Sequence, residues 1–186
     1  MEPIATPAAS SWVQGDVESV GRTVGDGAEL EGTYRIHADE ATRMAYLLTG
    51  DRARADDLVQ DAFLRLASRT LPVTDERAIR AYLRRMLVNG AISEARRDSR
   101  RRAREEAVAP RERSAAGDDT VEERADLWKL LERLPLRQRA ALVLRFYADL
   151  SERDIAAALR CRPGTVKSLT ARGLDALRVA MGSQGA

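Results

Sequence analysis

Apolar side chains recur every three or four positions along most of the chain between Thr33 and Arg178, with polar side chains between them. This spacing places the apolar side chains on one face of an α-helix. Seven helical segments are predicted in this way, over residues 33–49, 53–69, 78–104, 127–134, 140–147, 151–159 and 163–178. Thr49, Gly50 and Asp51 are expected to end the first segment and begin the second, and Tyr82 falls on the apolar side of the third. Long runs of β-branched residues, which are typical of strands, are few, so the fold is expected to be all-α.

The helical pattern is interrupted in two stretches that predict domain boundaries. Residues 1–31 mix Pro, Ala, Ser and Gly with acidic residues and are expected to form a disordered acidic tail. Residues 105–122 contain proline and glycine without an apolar period and are expected to form a flexible acidic linker. Two small helical domains are therefore predicted, a bundle over 32–104 and a compact helical unit over 123–181.

Residues 150–178 have the pattern of a helix-turn-helix. Ser151 is expected to cap a short first helix, with Asp154 completing a capping box. Residues 160–162 break the apolar period, and Pro163 suits the first position of a second helix because its missing N–H would be unpaired there. The second helix is expected to turn Val166, Thr170, Gly173, Leu174 and Leu177 inward, and Lys167, Ser168, Ala171 and Arg172 outward. Two helices joined by so short a turn suit the major groove of DNA.

Charge is distributed in blocks, although the whole chain is nearly neutral with 31 basic and 29 acidic residues. Residues 96–104 carry six arginines and one aspartate, at the end of a predicted helix whose polar side is rich in arginine from Arg84 onwards. One or two arginines near a helix C-terminus would favour the helix dipole. A continuous row is more typical of a surface that follows a nucleic-acid backbone.

A second charged surface lies on the helix predicted over 53–69, whose outward side carries Asp56, Asp57, Gln60 and Asp61. Like charges four positions apart destabilise an isolated helix slightly. The residues alone leave two interpretations open: a solvated face, which is the commoner case, or a surface that meets a basic partner.

Several classes of function are not indicated by the sequence. Cys161 is the only cysteine, so it can form neither an internal disulfide nor a cysteine zinc site. His37 stands alone and is interpreted as a solvated or interface residue rather than a metal ligand. No catalytic residue, metal or other cofactor is expected. With no apolar run near the ~20 residues needed to span a bilayer and no signal peptide, the chain is expected in the cytoplasm.

Four blocks of sequence, in this order and spacing, resemble the bacterial extracytoplasmic-function sigma factors, and most closely their actinobacterial SigE-like branch. The blocks are DDLVQDAFLRLA, AYLRRMLVNGAISEARR, LERLPLRQRAALVLRFYADLSERDIAAAL and PGTVKSLTARGLDALR. The resemblance covers about residues 33–181. It implies a promoter-specificity subunit of RNA polymerase, with region 2 over 32–104 and region 4 over 123–181, which helps to open promoter DNA without catalysing a reaction.

The resemblance also implies roles for residues of region 2. The β′ clamp helices of core polymerase would bind Asp56, Asp57, Gln60, Asp61 and Leu64. The loop over 69–76 would capture a base flipped from the minus-ten element. The minus-ten contacts would come from Thr70, Leu71, Tyr82, Arg85, Asn89, Arg96, Arg97 and Arg100. Tyr82 and Ser93 depart from the tryptophan and aspartate that are common in relatives.

In region 4 the resemblance implies that the helix from Pro163 reads the minus-thirty-five element, through Arg162, Thr165, Lys167, Ser168, Ala171 and Arg172. Region 4 would also meet the β flap of the polymerase, and the acidic linker would thread toward the active centre and the RNA exit path. An anti-sigma protein is a further partner that the resemblance allows. Arg160, Arg162 and Leu169 replace a turn glycine, an N-cap serine and an arginine that are usual in the family.

Two other functions compete with this interpretation. A stand-alone helix-turn-helix regulator would bind its duplex site tightly without a partner. A nuclease would need convergent metal ligands. Asp56, Asp57 and Asp61 could in principle bind Mg²⁺, but consecutive helix positions diverge and no convergent pocket is implied. Trp12, in the predicted tail, is interpreted as incidental rather than as a docking anchor.

Overall fold

The computed structural model describes residues 27–69, 75–105 and 128–182. The expected acidic tail, including Trp12, the loop residues Thr70 and Leu71, and the acidic linker lie almost wholly outside these ranges. The described part is helical, and its helices are α1 (Gly27–Thr49), α2 (Arg52–Ala67), α3 (Glu76–Glu105), α4 (Leu136–Leu142), α5 (Glu152–Leu159) and α6 (Pro163–Gly182). A helical turn at 128–131 precedes α4, and α4 continues as a π-helical segment over Val143–Tyr147.

The turn between α1 and α2 is formed by the predicted residues, Gly50 and Asp51. Gly50 adopts φ 72°, a left-handed conformation that glycine takes without a steric penalty. Asp51 then caps α2, and its Oδ1 accepts a hydrogen bond from the backbone N–H of Arg54 at 3.1 Å. The chain therefore reverses within three residues, so α1 and α2 pack against each other.

Two helices begin earlier than the apolar pattern indicates. Helix α1 starts at Gly27 rather than near Thr33, so the boundary expected at residue 31 falls inside this helix. Helix α3 starts at Glu76, and Asp75 accepts a hydrogen bond from the N–H of Ala78 at 2.9 Å. Residues 27–32 contain one large apolar side chain, Leu30, and residues 76–77 contain none, so the apolar period does not extend to these first turns.

Helices α1, α2 and α3 enclose an apolar core. The residues most completely buried there include Met44, Leu48, Val59, Leu66, Ile79, Leu87 and Val88. Burying a side chain of this size stabilises a fold by about 1.5–3 kcal/mol. His37 lies beside this core and is only 3% exposed, so the interpretation as a solvated residue was wrong.

Region 128–182 builds a second set of contacts around the helix-turn-helix. Leu144, Ile155, Leu159 and Val166 are buried between α4 and its π-helical extension, α5 and α6. A Cβ on Gly173 would lie 2.9 Å from Leu142 Cδ1, so glycine allows α6 to approach α4 closely. The inward positions predicted for α6 are confirmed at Val166 and Gly173, which are buried.

The two predicted domains are in direct contact, a feature that the sequence pattern did not indicate. Arg139 of α4 is 9% exposed and donates from Nη1 to the carbonyl oxygen of Leu48 in α1 at 2.8 Å. Its Nη2 donates to the carbonyl oxygens of Glu132 and Leu134 at 3.2 and 3.3 Å. Burial lowers the pKa of Arg139 to about 10, so the guanidinium remains charged at neutral pH.

Trp128 completes this contact between the domains. Its ring lies 4.5 Å from the Arg139 guanidinium and 6.0 Å from the ring of Tyr46. A Cβ added to Gly50 would overlap the Trp128 ring. The glycine therefore allows the turn to pack closely against Trp128. A cleft of about 470 Å³ lies beside the contact, between Arg54 and Asp98 on one side and Leu136 on the other.

Candidate nucleic-acid interface

Helix α2 presents a negatively charged outer face. Its opposite side, which includes Ala55, Val59, Ala62, Phe63 and Leu66, is buried. Asp56, Asp57, Gln60, Asp61 and Leu64 are all exposed on the outer side. Leu64 is 70% exposed, and Asp61 forms an ion pair with Arg65 at 3.0 Å. The face therefore combines surplus negative charge with one large apolar side chain, a composition suited to a basic protein surface with an apolar pocket.

The C-terminal half of α3 presents exposed arginines. Arg96, Arg97, Arg100 and Arg104 are exposed and form no ion pair within the described residues. Arg101 is also exposed and lies 3.2 Å from Asp98, which at the same time pairs with Arg54 of α2 at 2.8 Å. The Arg54–Asp98 pair fixes this half of α3 against α2, and the remaining guanidiniums point into solvent.

Arg84 is not part of this exposed row. The expectation that the arginine-rich surface begins at Arg84 is therefore corrected. Its side chain is 17% exposed and pairs with Glu40 of α1 at 2.7 Å. Arg80 pairs with the other oxygen of the same carboxylate at 3.4 Å. These two arginines hold α3 against α1, and the largely buried Arg84 is not available to a nucleic acid.

Tyr82 is buried, unlike a residue that stacks on an exposed base. It is 8% exposed and belongs to the core. Its hydroxyl donates to the carbonyl oxygen of Arg65 at 3.3 Å. The guanidiniums of Arg69 and Arg85 each lie 5.6 Å from the centre of its ring. The exposed groups at this position are therefore two cations supported by a buried ring. Arg69 was predicted only as the first residue of the loop over 69–76 and not among the individual minus-ten contacts.

Asn89 lies half-buried one helical turn beyond Arg85 on α3. Its Nδ2 is buried and has no hydrogen-bond partner within the described residues. Thr70 and Leu71, which were predicted beside it in the minus-ten set, lie outside those residues. The structure thus brings together Arg69, Tyr82 and Arg85, and places Arg96, Arg97 and Arg100 further along the same helix.

The helix-turn-helix forms with the predicted caps. Ser151 Oγ accepts a hydrogen bond from the N–H of Asp154 at 3.2 Å, and α6 begins at Pro163. The outward positions Arg162, Thr165, Lys167, Ser168, Ala171 and Arg172 are all exposed. Lys167 lies 3.8 Å from Glu152, and Ser168 donates its hydroxyl to the carbonyl oxygen of Gly164 at 3.1 Å. The first three turns of α6 therefore present a continuous polar and basic surface.

The three surfaces lie on one body. Helix α5 of the helix-turn-helix packs against α3, while the acidic side of α2 stays exposed. Among the described residues there is no cluster of side chains suited to a metal ion, and no helix long and apolar enough to span a membrane. The arrangement offers two basic surfaces for a polyanion and one acidic surface for a protein.

Comparison with known proteins agrees with this arrangement. Residues 33–101 match sigma-70 region 2, and residues 124–177 match sigma-70 region 4. An RNA polymerase sigma-E factor of Streptomyces avermitilis is 36% identical over 159 residues, which cover 83% of this chain and 86% of that protein. The ECF RNA polymerase sigma factor SigE of Mycolicibacterium smegmatis is 33% identical over 184 residues, 91% of this chain and 70% of that protein.

A solved structure supports the fold. The sigma factor RpoE from Bartonella quintana, determined in complex with the anti-sigma factor NepR, superimposes with a TM-score of 0.63. It is 22% identical, and the match covers 83% of this chain and 97% of that chain.

The two regions and the relatives together define this chain as an RNA polymerase sigma factor, a transcription initiation factor and not an enzyme. It belongs to the extracytoplasmic-function sigma factors, as the sequence resemblance predicted. The all-α fold with regions 2 and 4 is likewise confirmed.

Proposed function

We propose that this sigma factor binds core RNA polymerase through the outer face of α2. The observation that supports this proposal is the exposure of Asp56, Asp57, Gln60, Asp61 and Leu64 on one helix whose other side is buried. Only one of these carboxylates, Asp61, has an ion pair within the described residues. The unpaired negative charge would orient the chain toward the basic β′ clamp helices and raise the rate of encounter.

Promoter DNA would be held at two places. Arg69, Arg85 and the exposed arginines of α3 would follow the strand opened at the minus-ten element, where phosphate neutralisation dominates affinity. The exposed side of α6 would read the minus-thirty-five element in the major groove. Base capture by the loop that includes Thr70 and Leu71 stays a prediction from the family resemblance, as do contacts with the β flap and with an anti-sigma protein.

The cytoplasm is the proposed site of action, because core polymerase and chromosomal DNA are found there.

Run-off transcription with purified core polymerase tests the whole proposal. The chain should direct specific transcripts from a subset of a pooled promoter library, and core enzyme alone should not. Absence of any specific transcript across the library would contradict it. A stand-alone regulator would differ in a second measurement, since it would bind its duplex site equally well with and without core enzyme.

A further inference from the structure

The turn between α5 and α6 holds an arginine in a conformation that suits glycine. Arg160 closes α5 with φ 50° and ψ 55°, in the left-handed region. Its N–H donates to the carbonyl oxygens of Ala156 and Ala157, as is usual where a left-handed residue ends a helix. A side chain with a Cβ is disfavoured here, and glycine would form the same turn without that penalty.

The comparison with Asp149 shows that Arg160 is the unusual case. Asp149 is the other non-glycine residue with positive φ among the described residues, at 48°. Aspartate visits the left-handed region more readily because its short side chain hydrogen-bonds to nearby backbone. Arginine has no such local compensation, so the reason for an arginine must be sought in what its guanidinium does.

The guanidinium of Arg160 makes no stabilising contact with residues 27–69, 75–105 or 128–182. The side chain is exposed and has neither a hydrogen bond nor an ion pair within the described residues. Neighbouring cations differ, since Arg137 donates to the carbonyl oxygen of Leu159 and Lys167 approaches Glu152. The strained residue therefore carries a positive charge that the rest of the described chain leaves uncompensated.

The position of the turn indicates the missing partner. Arg160 stands three residues before Pro163, where the recognition helix α6 begins. Arg162, directly before that proline, is also exposed and without a side-chain partner in the described part. In a docked helix-turn-helix the start of the recognition helix enters the major groove and the first helix crosses the sugar-phosphate backbone. The turn that joins them is consequently carried toward the backbone at the edge of the groove.

We propose that Arg160 binds a phosphate that flanks the minus-thirty-five element, and that this contact is why an arginine occupies a glycine conformation. The proposal rests on the function proposed for α6 and adds a residue that reads no base. Its contribution to affinity should be independent of the base sequence, because phosphate contacts position the protein without specifying sequence.

Two substitutions separate the charge of Arg160 from its backbone strain. Arg160→Gln removes the charge and keeps the strain, while Arg160→Gly removes both. In holoenzyme binding to a duplex promoter, both variants should bind about tenfold more weakly, the size of one lost charge-assisted hydrogen bond. Both should also reduce the slope of log affinity against log salt by about 0.9, the value for one phosphate. Arg160→Gly should at the same time raise the unfolding midpoint of the free chain.

The controls are substitutions at the two non-glycine positions with positive φ among the described residues. Arg160→Lys should retain most of the salt slope, and Asp149→Gly should leave both the slope and the affinity unchanged. If Arg160→Gln and Arg160→Gly bind with wild-type affinity and slope, the phosphate contact does not exist and only this inference fails. If the wild-type holoenzyme itself shows no promoter-specific binding, the function proposed for α6 fails as well.

Discussion

At the scale of single residues, His37 makes the stability of the fold sensitive to acid. It is buried beside Glu40 and Arg80. Burial has the largest effect and lowers the pKa of His37 from the ordinary value of 6.5, and the charge of Arg80 lowers this pKa further. The charges of Glu40 and Glu76 raise it by smaller amounts. The unfolded chain therefore binds the proton more tightly, and the folded state loses stability as pH falls below about 6.5. The added slope cannot exceed about 1.4 kcal/mol per pH unit, the value for one proton.

Thermal unfolding measured between pH 7.5 and pH 5 checks this expectation. The unfolding midpoint of the wild-type chain should fall more steeply with acid than that of His37→Gln. His37→Gln should itself be less stable than wild type at pH 7.5, because its amide is not matched to the buried site. Equal slopes for the two chains would show that His37 has the same pKa in the folded and unfolded states, which would contradict the expectation.

The positions of some residues at turns and in the core can be predicted from the sequence, and those of others cannot. Gly50, Asp51, Ser151 and Pro163 were predicted at their turns because each residue type matches one local geometry. The burial of His37 was not predicted, since it depends on the packing of α3, which carries Arg80, against α1. Tyr82 is similar: helical spacing placed it on the apolar side of α3, but not beneath Arg69 and Arg85.

At the scale of elements, the outer face of α2 should act as a unit in polymerase binding. Reversing two of its charges, with Asp57→Lys and Asp61→Lys, should weaken binding to core enzyme by roughly tenfold or more, because opposed like charges at an interface cost several kcal/mol. Helicity and unfolding midpoint should change little, since both side chains are exposed. Competition with a labelled wild-type chain for core polymerase measures the effect.

A matched control carries Glu31→Lys and Asp39→Lys on α1. This control changes the net charge by the same amount at exposed positions of another helix. It should compete like the wild-type chain. If it loses affinity as severely as the α2 variant, net charge alone governs binding and α2 is not a specific interface.

The recognition surface of α6 gives a second prediction for a single element. Lys167→Ala with Arg172→Ala should abolish the dependence of transcription on the minus-thirty-five sequence, because a good base contact contributes about 1–3 kcal/mol of discrimination. Binding to core polymerase should persist. Arg178→Ala is the control, since Arg178 is exposed further along the same helix and pairs with Asp175 at 2.6 Å. A variant that loses core binding together with sequence dependence would indicate misfolding instead.

At the scale of the whole molecule, local patterns predicted the two domains but not how they meet. Helical periodicity identifies the buried side of each helix, and family resemblance assigns the regions. The interface depends on Arg139, and the sequence alone does not distinguish this residue from a surface arginine. In the structure its Nη1 lies 2.8 Å from the carbonyl oxygen of Leu48. Its burial becomes visible only when Trp128 and the turn at Gly50 are placed around it.

This contact sets a condition for the proposed function. The two promoter elements lie about 25 base pairs apart, which is about 85 Å along B-DNA at 3.4 Å per base pair. A compact protein of this size is only roughly 40 Å across. We therefore expect the two domains to separate when both elements are bound, which breaks the Arg139–Leu48 hydrogen bond and the packing of α5 against α3.

Fixing the domains together tests this expectation. Arg43 of α1 contacts Tyr147 of the π-helical segment, with 3.3 Å between Arg43 Nε and the Tyr147 hydroxyl. In a Cys161→Ser chain, Arg43→Cys and Tyr147→Cys joined by a short cleavable dimaleimide should hold the closed arrangement. The closed chain should still bind core polymerase, because α2 is exposed, but should lose at least about tenfold in transcription from promoters with both elements. Cleaving the linker should restore activity.

A chain cross-linked within α1 alone, through Glu31→Cys and Arg35→Cys, controls for the chemistry. These residues already form an ion pair at 2.8 Å on one helix, so the cross-link constrains nothing between the domains. It should transcribe normally. Full activity of the Arg43–Tyr147 cross-linked chain would mean that the two DNA-binding surfaces reach the promoter without separating. The contact at Arg139 would then be a permanent part of the active sigma factor, and the DNA would have to bend between the two elements to meet both surfaces.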